Sequence, residues 1–171
     1  MKQKLLLAVT IIGAVLVADV VTKRWALEAL SHGLTVRFGG LPLTLAYNTG
    51  IAFGLDVPSA GRWLLIGASV FVVIMLAGLF HQAKSSDGLR LTSVCLVAAG
   101  ALGNLVDRVR WERGVVDFIG PIDLGFMHWP IFNVADMAIT TGAILLGISL
   151  WRDDADARRV TALESADGSG D

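Results

Sequence analysis

Charge is scarce in this chain. Its 171 residues hold 14 lysines and arginines and 15 aspartates and glutamates, 17% in all, against 54% apolar residues. Soluble domains carry roughly 25% charge and about 45–50% apolar residues. Three of the bases and six of the acids fall in 152–171, so the first 151 residues hold only 20 charges. A soluble domain of that size lacks the charge to cover its surface, which excludes a water-soluble enzyme along with collagen-like, coiled-coil and disordered classes. The single cysteine, Cys95, has no partner for an internal disulfide, and its apolar neighbours make it a small buried hydrophobe. The three histidines, His32, His81 and His128, stand far apart with no H-E-x-x-H, so no metal site and no cofactor is expected. There is no P-loop and no G-x-S-x-G elbow. A net charge of −1 gives no field that would draw nucleic acid.

What the chain has is apolar runs. A helix crosses the hydrocarbon core with about 20 mostly apolar residues. Four runs reach that length or extend to it, giving expected spans over about 5–24, 63–81, 90–107 and 132–151. Backbone groups left unpaired in lipid are costly, so each run is expected to be helical. Lys2 and Lys4 before the first run imitate a secretory signal, but no good small-x-small cleavage site precedes Asp19, and the run is read as an uncleaved first span. Four spans put both termini on one side. The basic residues then divide seven against seven (Lys2, Lys4, Lys84, Arg90, Arg152, Arg158 and Arg159 inside; Lys23, Arg24, Arg37, Arg62, Arg108, Arg110 and Arg113 outside), so overall charge bias does not orient the chain. Lys2 and Lys4, flanking the first helix, favour an inside N-terminus.

The connections are unequal. Residues 81–90 are short and polar. Residues 31–62 and 108–131 are long and contain strand-prone pieces at Leu34–Phe38, Leu43–Tyr47 and Gly114–Phe118, with Gly39-Gly40 suggesting a hairpin. The expected fold class is an all-α membrane protein of four transmembrane helices with a small β-cradle or sheet on one membrane face. Residues 1–151 form the expected membrane domain, and 152–171, acidic and rich in Ala, Ser and Gly, an expected disordered tail.

An aspartate costs about 2.5–3.5 kcal/mol at the centre of a transmembrane helix, so such residues are functional candidates. Asp19 ends the first span, Asn104 and Asp107 end the third, and Asn133 and Asp136 begin the fourth. Because the spans alternate in direction, all fall at one boundary, and Asp117 lies in the connection on that side. Helix capping and the wet headgroup level account for some polar residues at helix ends, and Asp19 has Lys23 at i+4. Asn133 and Asp136, however, are spaced i, i+3 and share a face. Two carboxylates on one wall repel when both are ionised and tend to share a proton, the apparatus of an aspartic protease. The spacing leaves open which of Asp19, Asp107, Asp117, Asp123 and Asp136 meet.

These residues carry a resemblance. Asp19-Val-Val-Thr-Lys23, Asn48-Thr-Gly-Ile-Ala-Phe53, Gly100-Ala-Leu-Gly-Asn-Leu-Val-Asp-Arg108, Gly114-Val-Val-Asp-Phe118 and Phe132-Asn-Val-Ala-Asp136 resemble, in order and placement, the bacterial lipoprotein signal peptidases (signal peptidase II, peptidase A8 type) over residues 1–151. The resemblance implies an intramembrane aspartic endopeptidase of the bacterial inner membrane, multi-pass, with both termini cytoplasmic and its active site near the periplasmic face. Its substrates would be diacylglyceryl-modified prolipoproteins, cut on the N-terminal side of the lipidated cysteine, and globomycin-type cyclic peptides would inhibit it. The catalytic pair maps to Asp117 and Asp136. Asn48, Gly50, Asn104, Arg108, Asn133 and Ala135 match positions around the substrate site, and Asp19, Lys23 and Asp107 positions nearer to scaffolding. Membrane lipids are the other expected partner, and a monomer the expected state. The chain departs at Ala99, where a second glycine is frequent, and at Trp111-Glu112-Arg113, which lengthens the link to Gly114. The rival from another class is a small carrier or scaffold using membrane aspartates. It requires acids near the bilayer midplane rather than at one boundary. A rhomboid-like serine peptidase needs a serine elbow and a histidine within the spans, and both are missing.

Overall fold

The computed structural model describes residues 1–31, 33–50 and 59–167. Its helices are α1 (Lys2–Ala29), α2 (Ser59–Gln82), α3 (Gly88–Arg110) and α4 (Val134–Asp167). Each contains a segment long and apolar enough to cross a membrane. The outward surfaces of these helices are apolar: Leu6, Val9 and Val17 on α1, Leu64, Phe71 and Ile74 on α2, and Ile144 and Leu150 on α4 are all exposed. An apolar outer surface of this extent is stable only against lipid.

The third helix is central and packs against each of the others. Its contact with α4 is made close by glycine. A Cβ on Gly100 would collide with the Ala135 carbonyl oxygen, and one on Gly142 would stand 2.7 Å from Val97 Cγ2. Helices in lipid have no hydrophobic drive toward one another, so small residues that admit close backbone approach supply the packing energy. Ala99 is fully buried, so the methyl that distinguishes it from glycine is accommodated. At the end opposite the sheet, the Lys4 Nζ donates to the carbonyls of His81 (3.0 Å) and Ala83 (2.9 Å), closing the α2 C-terminus against the start of α1.

A three-stranded antiparallel sheet covers the other end, in the order β1 (Thr35–Phe38), β2 (Leu41–Asn48), β3 (Val115–Ile119). Gly39 and Gly40 both take positive φ, 57° and 87°, which the two-residue β1–β2 turn requires. In the β2–β3 pair Ala46 opposes Asp117 and Asn48 opposes Val115, with a register shift between Leu43 and Ala46. Phe118 packs on Ala26 and Leu30, seating the sheet on the last turn of α1. The Phe132 carbonyl accepts from the amides of Phe118 (3.1 Å) and Ile119 (2.8 Å), and the Phe132 amide donates to the Ile119 carbonyl (3.0 Å). These bonds pin the entrance of α4 to β3. Two short strands, β4 (Ile122–Asp123) and β5 (His128–Trp129), form a further hairpin that the sequence pattern did not announce.

One expectation changes. The chain after Trp151 is not an irregular tail: α4 continues without a break to Asp167. Arg158 pairs with Asp154 at 2.8 Å, Arg159 stands 3.9 Å from Asp156, and Arg90 of α3 pairs with Asp153. Alanines between charges spaced i, i+3 and i, i+4 favour helix over disorder.

Candidate active site

Asn133 organises the site. It is fully buried, and it is the residue immediately before α4. Its side-chain oxygen accepts from the Asp136 amide (2.9 Å), and the Asp136 carboxylate accepts from the Asn133 amide (3.2 Å). This is a reciprocal capping box, which satisfies two otherwise orphaned donors of the first turn. The same asparagine points its Nδ2 at the Asp117 carboxylate (2.6 Å) and the Asn104 side-chain oxygen (3.1 Å). A single amide therefore bonds Asp117 of β3 and caps the turn holding Asp136 of α4.

Asn104 of α3 completes the link. Its Nδ2 donates to Asp136 at 2.7 Å. Its oxygen faces the Lys23 ammonium at 3.2 Å. A flipped amide would set its NH2 against a cation and its oxygen against a carboxylate, so Lys23 and Asp136 together fix the orientation.

Lys23 itself lies between two acids, 2.8 Å from Asp19 and 2.8 Å from Asp107. All three side chains are nearly removed from solvent. Asp19 also accepts from the amide of Ala135 (3.0 Å), and Asp107 from the amide of Val116 (3.2 Å). The cluster thus ties α1 and α3 to the first turn of α4 and to the strand that carries Asp117. Gly103 belongs to the same contact, since a Cβ there would stand 2.8 Å from the Asp19 carboxylate.

The five outer aspartates left open by spacing now sort into sets. Asp19 and Asp107 meet around Lys23. Asp117 and Asp136 meet across Asn133 and, among the described residues, have no cationic side chain within ion-pair distance. Asp123 is exposed in β4, 4.0 Å from His128, and joins neither. Asp117 is only 2% exposed. Burial first, and the neighbouring Asp136 charge second, push its pKa up from 3.8 to about 6, against the opposing effects of the Asn48 and Asn133 amides and of Lys23.

Two cavities open on Asp136. The larger, about 790 Å³, is lined by Asn48, by Leu124, Met127 and Trp129 of the β4–β5 hairpin, and by Met137, Thr140 and Thr141 of α4. The smaller, about 310 Å³, lies between α2, α3 and α4, with Leu65, Ala68 and Ile139 as apolar walls and Asn104 and Arg108 as polar ones. Asp117 borders neither. Arg108 makes no ion pair among the described residues, and its Nε is buried without a partner. Arg62 of α2 holds the Arg108 carbonyl at 2.7 Å and the Val109 carbonyl at 2.9 Å. Gly50 takes φ +98°, and its amide donates to the Asn48 side chain at 2.8 Å. The remainder of that motif, Ile51–Phe53, lies outside the described residues. Sequence reasoning missed Arg62 and the β4–β5 wall. Thr140-Thr141, two hydroxyls within an apolar span, was the available signal for the cavity. No cluster of potential metal ligands occurs among the described residues.

Four helices apolar enough to span a membrane, capped at one end by a small sheet where Asp117 and Asp136 meet across Asn133, define a polytopic membrane protein. A family model described as signal peptidase (SPase) II, Peptidase_A8, matches residues 11–152, and the chain belongs to that family. It is therefore a membrane protease. The lipoprotein signal peptidase of Oleidesulfovibrio alaskensis is 35% identical over 89% of this chain and 99% of its own length. That of Ectopseudomonas mendocina is 39% identical over 84% of this chain and 87% of its own. Among solved structures, a bacterial membrane enzyme determined by the in meso method at 2.3 Å resolution superposes with a TM-score of 0.76 at 30% identity, covering 91% of this chain and 92% of that one.

Proposed function

We propose that Asp117 and Asp136 are the catalytic pair of an intramembrane aspartic endopeptidase that removes the signal peptide from diacylglyceryl-modified prolipoproteins, cutting on the N-terminal side of the lipidated cysteine. The observation that carries this reading is Asn133, which donates to Asp117 and caps Asp136 from one buried amide. One proton shared by the pair supplies both functions. The ionised carboxylate takes a proton from water as the water oxygen attacks the scissile carbonyl carbon. The protonated carboxyl gives its proton to the carbonyl oxygen. Collapse of the tetrahedral intermediate breaks the C–N bond: the leaving amine takes a proton from one carboxyl, and the other carboxylate takes back the proton of a diol hydroxyl, which restores the singly protonated pair. The products are a signal peptide with a new carboxylate and a lipidated cysteine with a free amine.

Supporting residues follow from their bonds. Asn104 and Asn133 orient the carboxylates, Asn48 lines the larger cavity beside Asp136, and Arg108 is suited to hold a substrate carbonyl from the smaller one. Asp19, Lys23, Asp107 and the Ala135 amide form the frame beneath them. Gly50 shapes the turn after Asn48. We place the enzyme in the bacterial inner membrane as a monomer, with both termini cytoplasmic, the sheet periplasmic, residues 1–151 as the working domain, and globomycin-type peptides as inhibitors of the same cleft.

The test is cleavage of a purified diacylglyceryl-prolipoprotein by wild type, Asp117→Asn, Asp136→Asn and Asp123→Asn. Both pair variants are expected to fold and to lose roughly 10²–10⁴-fold in rate, the usual share of acid–base catalysis. Asp123→Asn keeps wild-type activity. Near wild-type cleavage by either pair variant disproves the assignment.

A further inference from the structure

The sheet end of the molecule carries a cluster of arginines that the hydrolytic reading leaves unused. Arg62 of α2, Arg110 at the end of α3 and Arg113 in the turn to β3 gather around aromatic rings. The Arg113 guanidinium lies 4.4 Å from the Tyr47 ring centre and 4.8 Å from that of Trp111. Arg110 lies 4.9 Å from the same indole, and Arg62 5.6 Å from Trp63. Stacking engages the face of a guanidinium and leaves its N–H edge free to donate; the Arg62 edge is taken by the Arg108 and Val109 carbonyls, so Arg62 braces the cluster while Arg110 and Arg113 present theirs. Among the described residues, the nearest acid is Glu112, 3.8 Å from Arg62 with its own side chain 95% exposed; Arg110 and Arg113 have none in range.

What lies below the cluster identifies the ligand. Val106 is four residues before Arg110, one turn below it on α3, and Val109 lies in the same last turn. Val106, Val109, Trp63 and Leu64 are all exposed, on the lipid-facing surface where α2 meets α3. The cationic edge therefore stands directly over a strip that acyl chains cover. We propose that Arg110 and Arg113 form a binding site for the phosphate of an anionic phospholipid in the leaflet at the sheet end, with its chains on the Val106–Val109 strip. A phosphodiester accepts two parallel N–H bonds from one guanidinium, which a lysine cannot offer. The site also accounts for the missing charge bias. Without Arg110 and Arg113 the sheet end would hold five basic residues against seven at the termini. It lies beside the catalytic strand as well, because Tyr47 and Asn48 oppose Val116 and Val115 in the β2–β3 ladder.

The experiment measures lipid retention by native mass spectrometry of the full chain in detergent, with phosphatidylglycerol and phosphatidylcholine of matched acyl chains. Wild type is expected to retain phosphatidylglycerol preferentially. R110Q/R113Q lowers that preference roughly thirtyfold, given the contribution of each basic residue near an anionic surface, and R110Q alone lowers it less. If the double variant fails to fold, R110Q decides. R158Q/R159Q, which removes equal charge at the other end, keeps the preference. Unchanged preference in the Arg110 variants overturns the proposal, as does an equal loss in R158Q/R159Q, which would mean a response to net charge. Displacement of the lipid by millimolar inorganic phosphate also overturns it, since the site would then take a free anion. Retention is read without cleavage, so this result is independent of the catalytic assignment.

Discussion

Replacing Asp117 by asparagine is expected to stabilise the protein at neutral pH while abolishing its activity. Asp117 is 2% exposed, and its pKa is pushed from 3.8 to about 6, chiefly by burial. A shift of about two units at 1.36 kcal/mol each is worth about 3 kcal/mol. The sign follows from proton counting. Between roughly pH 4 and 6 the folded protein keeps a proton that the unfolded chain has released, so stability is full below about pH 4, declines through that window and stays lower above it. Asparagine removes the titration but leaves an oxygen to accept from Asn133 Nδ2, as the carboxylate does at 2.6 Å. The assay is thermal or denaturant unfolding of wild type and Asp117→Asn in one detergent at pH 4 and pH 7.5. Subtracting the two proteins cancels the titrating groups remote from Asp117 and leaves its own shift, to which the repulsion from Asp136 belongs. The variant should match wild type at pH 4 and exceed it by about 3 kcal/mol at pH 7.5. A difference independent of pH, or a variant that loses ground as pH rises, would refute the reasoning. The expected result is a site that holds strain for function, the usual origin of a stability–activity trade-off.

Three further outcomes test the frame around the pair. Asn133→Ala removes a helix cap and leaves buried partners unsatisfied, so unfolding should show a loss of about 2–4 kcal/mol; displacement of both carboxylates should cost roughly 100-fold in cleavage rate. Lys23→Met strands Asp19 and Asp107 as uncompensated buried acids, a cost of about 3–5 kcal/mol, and Asp19→Asn/Lys23→Met/Asp107→Asn should recover most of it in the same unfolding assay. Gly100→Ala drives a methyl into the Ala135 carbonyl and to 2.7 Å from Ile139 Cγ1; it should lower stability by about 1–3 kcal/mol and cleavage with it, because Ala135 sits beside Asp136.

The parts of this molecule legible in its sequence are those written in local pattern. The apolar runs announce α1 to α4 by length, and Gly39-Gly40 between strand-prone segments announces the β1–β2 hairpin. Asn133 and Asp136 announce a helix start by their i, i+3 spacing. The β4–β5 hairpin was hidden because each strand is only two residues long, too short for an alternation to register. The extension of α4 to Asp167 was hidden because acidic composition was weighed above the spacing of Asp154 with Arg158. Arg62 gave no signal at all. Its partners are the carbonyls of Arg108 and Val109, 46 and 47 residues away, and a backbone acceptor leaves no mark in the sequence.

The most consequential hidden fact was which acids pair. Four aspartates reach the same boundary, and residue type cannot sort them, because the two sets differ only in what stands opposite. Asp19 and Asp107 share a lysine, and the cluster, with the Ala135 and Val116 amides, holds four elements together. Asp117 and Asp136 are held by the amides of Asn133 and Asn104. That difference is chemical. A carboxylate in a close ion pair is stabilised as an anion and is a poor proton carrier. A pair held by amides keeps both oxygens in place without neutralising either, which is what the proposed passage of one proton between acid, water and amine requires. A cation bonded directly to Asp117 or Asp136 would favour two carboxylates and no acid. On the proposed mechanism Lys23 acts at one remove: it bonds the oxygen of Asn104, whose nitrogen bonds Asp136, while its ion pairs are with Asp19 and Asp107.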